Sequence, residues 1–261
     1  MNSKDYRRTT LVSPGIPYIE SRLHFLLRRA KQVQRQWRII EDGDRILLGL
    51  SGGKDSMALL YLLRYWQRFS PDKFEFASLH VETAGLEGNA ERRAQLEEHL
   101  EANGVPIDFV GIEYPESGNE RKAGFRCFRC SRRRRESLFK HAVENGFNKV
   151  ALAHHLDDAA ETALMNLFFH SSLDTMEPKV EFFDGKITVI RPLVLAEERE
   201  VARLSKLIDF PFFRCNCPDL RTTERDRVKD FIRSFGREAK AVKRNIWSAT
   251  REWPGRLTGR D

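Results

Sequence analysis

The sequence predicts an α/β fold, a Rossmann-like and mostly parallel sheet flanked by helices, and two observations carry that expectation. Short apolar runs bounded by turn residues alternate with longer segments whose apolar positions recur every three or four residues, the pattern of successive βαβ units. A glycine pair, Gly52-Gly53, also falls directly between the first such run and the helical segment after it, where open α/β sheets place their ligands.

The elements follow in order. Over residues 18–40, Leu23, Leu26, Leu27, Ala30, Val33 and Trp37 recur at three- and four-residue steps among arginines and glutamines, predicting an amphipathic helix. A polar turn at 41–44 leads to Arg45-Ile46-Leu47-Leu48-Gly49-Leu50, read as a buried strand. Residues 56–69 read as a helix, with Met57, Leu60, Leu63 and Trp66 on one face and Arg64, Gln67 and Arg68 on the other. The alternation continues with a strand at 74–81, a helix at about 90–103, a strand at 107–112, a helix after Cys127 and a strand at 149–153. It closes with a helix at 157–169, a strand near 187–190 and a helix at 197–207, beyond which the chain is helical and basic with Pro254 and Gly255 near a loose end.

The predicted organisation is a basic N-terminal arm and helix (1–40), a nucleotide-binding domain with an inserted cysteine segment (41–220), and a basic helical tail (221–261). With 261 residues and 41% hydrophobic content, the chain can bury one substantial core. No run approaches the roughly 18 to 20 apolar residues of a membrane span, and Asp5, Arg7 and Arg8 stand where a signal peptide would carry its apolar core; the expectation is a soluble cytoplasmic protein with no membrane partner.

The net charge of +7 is unevenly placed. Residues 1–40 carry +7, 121–140 carry +8 and 221–261 carry +6, which leaves −14 for the rest. Basic charge gathered in three segments suits a polyanion such as nucleic acid better than a small acid, although solvated helix faces would look the same one run at a time. The four cysteines form two close pairs, Cys127/Cys130 and Cys215/Cys217, which in a reducing compartment suggest metal or redox chemistry over disulfides.

Ser51-Gly52-Gly53-Lys54-Asp55-Ser56 lies between the first strand and its helix, where backbone N–H groups and the positive helix end can hold an anion. It is not a Walker A loop, which would need Gly at Leu48 and Ser or Thr at Asp55. A ligand-free glycine turn is the alternative for a bare Gly-Gly; Ser, Lys and Asp in this order weigh against it. The hexapeptide resembles the PP-loop of the ATP-pyrophosphatase superfamily, whose members cleave ATP between the α- and β-phosphates and adenylate a substrate. The resemblance implies ATP held by Ser51, Gly52, Gly53, Lys54, Asp55 and Ser56.

A second segment, His154-His155-Leu156-Asp157-Asp158-Ala159-Ala160-Glu161-Thr162, follows a predicted strand and opens a helix. Imidazoles and carboxylates at such a junction can serve phosphate oxygens and Mg²⁺, whereas Asp157 alone would be an ordinary N-cap. The segment resembles the His-His-x-Asp-Asp-x-x-x-Thr signature of the tRNA-thiolating and tRNA-lysidine branches. That implies His154 and His155 near the phosphates, Asp55 and Asp158 serving magnesium, and Lys54, Asp55 and Asp158 as catalytic residues. His80, near the end of the second strand, stands where the superfamily cradles adenine with backbone groups, or is a packed strand residue.

Cys127-Phe128-Arg129-Cys130 followed by Arg132, Arg133, Arg134 and Arg135 places two thiols within reach of one metal or cluster beside cations that lower thiol pKa values and attract RNA phosphates. Cys215 or Cys217 could add a further ligand; zinc on all four thiols and a dithiol redox pair are the alternatives. Over residues 20–235 the chain resembles the tRNA 2-thiocytidine synthetase family, through the basic helix, both loops, Cys127/Cys130, Arg191-Pro192-Leu193 and Cys215. The resemblance implies a [4Fe–4S] cluster on Cys127, Cys130 and Cys215. The family's second site is Cys-x-x-Cys, whereas here it is Cys-x-Cys before Pro218, so Cys217 remains an alternative to Cys215 and the acceptor base stays open. The implied enzyme is an adenylating tRNA sulfurtransferase, with tRNA and a sulfur donor such as a cysteine desulfurase or free sulfide as partners, and homodimers are common in the family. A nucleotide-binding metal or redox sensor, or a superfamily enzyme with structural zinc acting on another acceptor, would share these features.

Overall fold

The computed structural model describes residues 17–70, 73–86, 88–113, 125–213 and 224–252. Helix α1 (Pro17–Trp37) precedes β1 (Arg45–Gly49), α2 (Lys54–Phe69), β2 (Glu75–Thr83), α3 (Asn89–Ala102) and β3 (Ile107–Ile112). Then come α4 (Phe125–Glu144), β4 (Lys149–Ala151), α5 (Leu156–His170), β5 (Lys179–Phe182), β6 (Ile187–Ile190), α6 (Glu198–Ser205), α7 (Glu224–Ser234) and α8 (Ala239–Glu252).

The sheet order is β3-β2-β1-β4-β6-β5, parallel except for β5 against β6. Because the chain runs outward from β1 through β2 to β3 and then returns to β4 on the other side of β1, the strand order reverses between β1 and β4. The crevice above that switch point is where a doubly wound sheet binds its ligand.

β1 is central, and Ile46, Leu47 and Leu48 are fully buried, which explains why this strand reads as a continuous apolar run. α2 covers one face with Met57, Leu59, Leu60, Leu63 and Trp66, while α1 packs Leu23, Leu26, Leu27, Ala30 and Val33 into the same core. A smaller core on the opposite face joins Leu47, Leu79, Val150 and Val189 to Leu138 and Ala142 of α4. At the strands' N-terminal end, buried Lys149 pairs with Asp44 at 2.6 Å, a tie remote from the crevice.

Two details differ from the sequence expectation, and a third, the helical C-terminal stretch, agrees with it. The antiparallel strand β5 is a four-residue edge hairpin, turned by Phe183 and Asp184 at φ 55°, too short and too exposed to leave a periodic signal. α4 begins at Phe125, so Cys127, expected to precede the helix, lies inside it together with Cys130. The basic C-terminal stretch forms α7 and α8, packed on α5 through Val228 and Ile232 against Ala160 and Leu164, and on α1 through Trp247 beside Trp37. Among the described residues no helix is long and apolar enough to cross a membrane.

Candidate active site

The glycine loop leaves β1 at the crevice and hands the chain to α2. Gly52 adopts φ +73°, and Gly53 caps α2 with extended backbone. Two hydroxyls brace the turn: Ser56 Oγ accepts from the Ser51 N–H at 3.2 Å and donates to the Gly53 carbonyl at 3.0 Å, and Ser51 Oγ accepts from the Gly53 N–H at 3.2 Å. The result is a preformed concave turn at the positive end of a 16-residue helix.

Lys54 opens α2 with its ammonium 2.7 Å from Asp55 and 3.2 Å from Glu198 at the start of α6. Burial alone would lower its pKa, but these two carboxylates outweigh that and hold the lysine charged. Burial would likewise raise Glu198, yet Lys229 at 3.0 Å and Lys54 hold it down to about 2.

Across the crevice, β4 delivers His154 and His155. His155, not Asp157, is the N-cap of α5: its Nδ1 accepts from the Asp158 N–H at 3.3 Å while the His155 N–H donates to Asp158 Oδ2 at 3.0 Å. Its other nitrogen points to Asp55 Oδ1 at 3.9 Å, so one imidazole stands between Asp55 and Asp158 and joins the two loops. Asp157 instead ties α5 to its neighbours, accepting from the Glu198 N–H at 2.7 Å and from Lys243 at 2.5 Å.

His154 accepts at Nδ1 from Arg191 Nε at 3.3 Å, and burial pushes its pKa down to about 4, with Arg191 and Arg225 adding to the shift against Asp158. It is therefore a neutral imidazole near pH 7. One turn along α5, burial and the nearby Asp158 push Glu161 up to about 7. Arg225 of α7 reaches this acidic end, 3.4 Å from Asp158 and 3.7 Å from Glu161, and donates to Thr162 Oγ1 at 3.2 Å. The His80 side chain packs into the fold, with Nδ1 2.7 Å from the Leu50 carbonyl and the ring against Phe109.

Cys127 and Cys130 sit one helical turn apart near the start of α4, both partly exposed and on one face. Cys130 Sγ lies 3.6 Å from Thr83 Oγ1 at the C-terminal end of β2, the same edge of the sheet as the glycine loop. The arginine run divides by direction. Arg134 donates inward to Thr83 Oγ1 at 3.2 Å, Arg133 donates to the Glu113 carbonyl, and Arg132 and Arg135 are exposed, Arg132 beside Glu136. Cys215 and Cys217 lie outside the described residues, but the segment leading to them is anchored. The Phe213 N–H donates to the Gly52 carbonyl at 3.0 Å and its ring covers Gly52.

Two thiols one turn apart, beside cations, fit a thiolate-binding iron centre, supplying two ligands. Among the described residues, no group of three or more His, Cys, Asp or Glu side chains could hold a metal ion by itself. Glu198, Arg225, Lys229 and Lys243 were not singled out from sequence. The four-residue spacing of Arg225 and Lys229 was the signal available, hidden within a generally basic tail.

Comparison with known proteins agrees with this geometry. Residues 24–233 match the family model described as a PP-loop domain. The tRNA-cytidine(32) 2-sulfurtransferase of Geobacter metallireducens is 36% identical over 217 residues, covering 82% of this chain and 83% of that protein. The protein of the same name from Deinococcus radiodurans is 35% identical over 240 residues, covering 90% and 79%. Among solved structures, the U34-tRNA thiolase NcsA from Methanococcus maripaludis with its [4Fe-4S] cluster superposes with a TM-score of 0.67 at 21% identity, covering 90% of this chain and 80% of that one.

Proposed function

From the premise that this chain belongs to the PP-loop family, and within it to the tRNA-cytidine(32) 2-sulfurtransferases, we propose that it adenylates a cytidine of tRNA and replaces the base oxygen with sulfur. The observation that carries this reading is the meeting of the two loops at the switch point, where His155 stands between Asp55 and Asp158, with the Cys127/Cys130 turn at the same edge of the sheet.

A pyrimidine carbonyl oxygen is a poor leaving group and must be activated. In the first step the base oxygen forms a bond to the α-phosphorus of ATP, the bridging bond to the β-phosphate breaks, and its electron pair leaves on pyrophosphate. The Ser51–Ser56 turn and Lys54 hold the phosphates, and Asp55 and Asp158 would hold Mg²⁺, so catalysis here is positioning and charge stabilisation. His154, neutral, is oriented by Arg191 to face the phosphates as a hydrogen-bonding group and not as a cation. In the second step a hydrosulfide-level sulfur bonds to the base carbon and AMP departs with the carbon–oxygen electron pair, a substitution without net oxidation. A [4Fe–4S] cluster bound by Cys127, Cys130 and either Cys215 or Cys217 would supply that sulfur, itself replenished by a cysteine desulfurase or free sulfide.

Arg132 and Arg135, exposed on α4, together with the basic face of α1, would meet tRNA phosphates, and the target base must be splayed from its stack to enter the crevice. The division into a basic arm (1–40), a catalytic domain (41–220) and a basic tail (221–261) is the organisation this reading uses, and a homodimer is compatible with it. Lys54→Ala tests the loop: tRNA-dependent pyrophosphate release should fall at least a hundredfold, and undiminished release would remove Lys54 from the site.

A further inference from the structure

We propose that Arg225 and Lys229 of α7 hold the β- and γ-phosphates of ATP and then the departing pyrophosphate, making this C-terminal helix a wall of the triphosphate site. The inference rests on the adenylation reading above and extends it to residues outside both sequence signatures.

The geometry is a ring of contacts between cations, carboxylates and one imidazole. Starting at Arg225, it passes to Asp158 (3.4 Å), through His155 (3.1 Å, then 3.9 Å) to Asp55, on to Lys54 (2.7 Å), Glu198 (3.2 Å) and Lys229 (3.0 Å). Lys229 stands one helical turn after Arg225, which closes the circuit along α7. The circuit draws on the loops after β1 and β4, the start of α6 and one face of α7, and so borders the crevice from four directions. Val228 and Ile232 fix α7 by packing against Ala160 and Leu164, so the two cations are presented by a docked element.

Arg225 donates to Thr162 Oγ1 at 3.2 Å, but its contacts to carboxylates are loose. Its carboxylate contacts are 3.4 and 3.7 Å, well beyond the 2.7–2.9 Å of a good charge-assisted bond, and its side chain is 39% exposed. A triphosphate brings several negative charges against the single lysine of the loop, and a forked guanidinium suits phosphate oxygens. When the base oxygen bonds to the α-phosphorus, the electron pair of the broken bridging bond goes to pyrophosphate, and the added charge appears on the side that Arg225 and Lys229 face. AMP, lacking the β- and γ-phosphates, has nothing for these residues to hold.

The test is calorimetric binding of ATP, pyrophosphate and AMP to the full-length chain with Mg²⁺ present, which requires no iron. Arg225→Met and Lys229→Met should each weaken ATP and pyrophosphate about tenfold while AMP stays within about twofold, and Arg225→Lys should recover part of the loss. Equal weakening of ATP and AMP would mark the residues as mere supports for α7, and unchanged ATP affinity in both variants would remove them from the site; either overturns the inference. Failure of the unsubstituted chain to bind ATP would overturn the adenylation reading and this inference with it.

Discussion

Replacing Gly52 with alanine tests whether the phosphate turn and the segment running toward the second cysteine pair form one packed unit. A Cβ at position 52 would sit 2.3 Å from Phe213 Cδ2 and 2.9 Å from its Cε2, at a backbone φ of +73°. The left-handed backbone costs an alanine about 1–2 kcal/mol, and pushing the ring aside costs about 1–3 kcal/mol more. Gly52→Ala should therefore destabilise the protein by about 2–5 kcal/mol. Gly53→Ala should cost less than about 1 kcal/mol, since Gly53 has an ordinary φ and its Cβ would meet Ser51 Oγ at 3.3 Å and the Phe213 carbonyl oxygen at an ordinary 3.7 Å. The decisive comparison is a double-mutant cycle with Phe213→Ala, measured by urea unfolding. Without the ring, Gly52→Ala keeps only its backbone strain, so the two substitutions should couple by about 1–3 kcal/mol. Additivity within about 0.5 kcal/mol, or equal costs at positions 52 and 53, would refute the packing argument.

Two further predictions concern titration. Glu161 is pushed up to about 7, so the native chain keeps a proton that the unfolded chain releases near pH 4.5; the stabilisation is complete below that and is lost as pH rises through 7. Against Glu161→Gln, wild-type stability should fall by up to about 3 kcal/mol between pH 4.5 and 8, as read from urea midpoints, and parallel pH profiles would contradict the shift. Arg191→Ala should raise the pKa of His154 from about 4 by about one unit in an NMR titration, because the cation at its Nδ1 is removed and water can enter; an unmoved resonance would show that Arg191 does not set its protonation.

Much of the fold was legible because its signals are local. The buried run at Ile46–Leu48 and the three- and four-residue steps of α1 and α2 reflect burial imposed by neighbours on either side in sequence. The glycine loop was legible for the same reason, since Gly52's positive φ and the Ser51/Ser56 bracing all lie within six residues. What stayed hidden depends on contacts distant in sequence. Asp157 reads as an N-cap by type, but the cap is His155, because Asp157 is drawn to Glu198 and Lys243, 41 and 86 residues away. The charges of Arg225 and Lys229 are visible in the sequence, but their direction depends on α7 docking on α5. Phe213 carries no motif and is placed by an aromatic cluster with Phe210 and by the glycine it covers.

The central claim is the coupling of adenylation to thiolation on RNA. Its most direct measurement is anaerobic incubation of the iron-loaded chain with unmodified tRNA, ATP, Mg²⁺ and sulfide, followed by nucleoside digestion and mass spectrometry, with AMP and pyrophosphate counted in parallel. The account predicts 2-thiocytidine, dependent on ATP, with one AMP and one pyrophosphate released for each sulfur gained. Pyrophosphate release on tRNA without any thionucleoside, from protein carrying its iron, would contradict it.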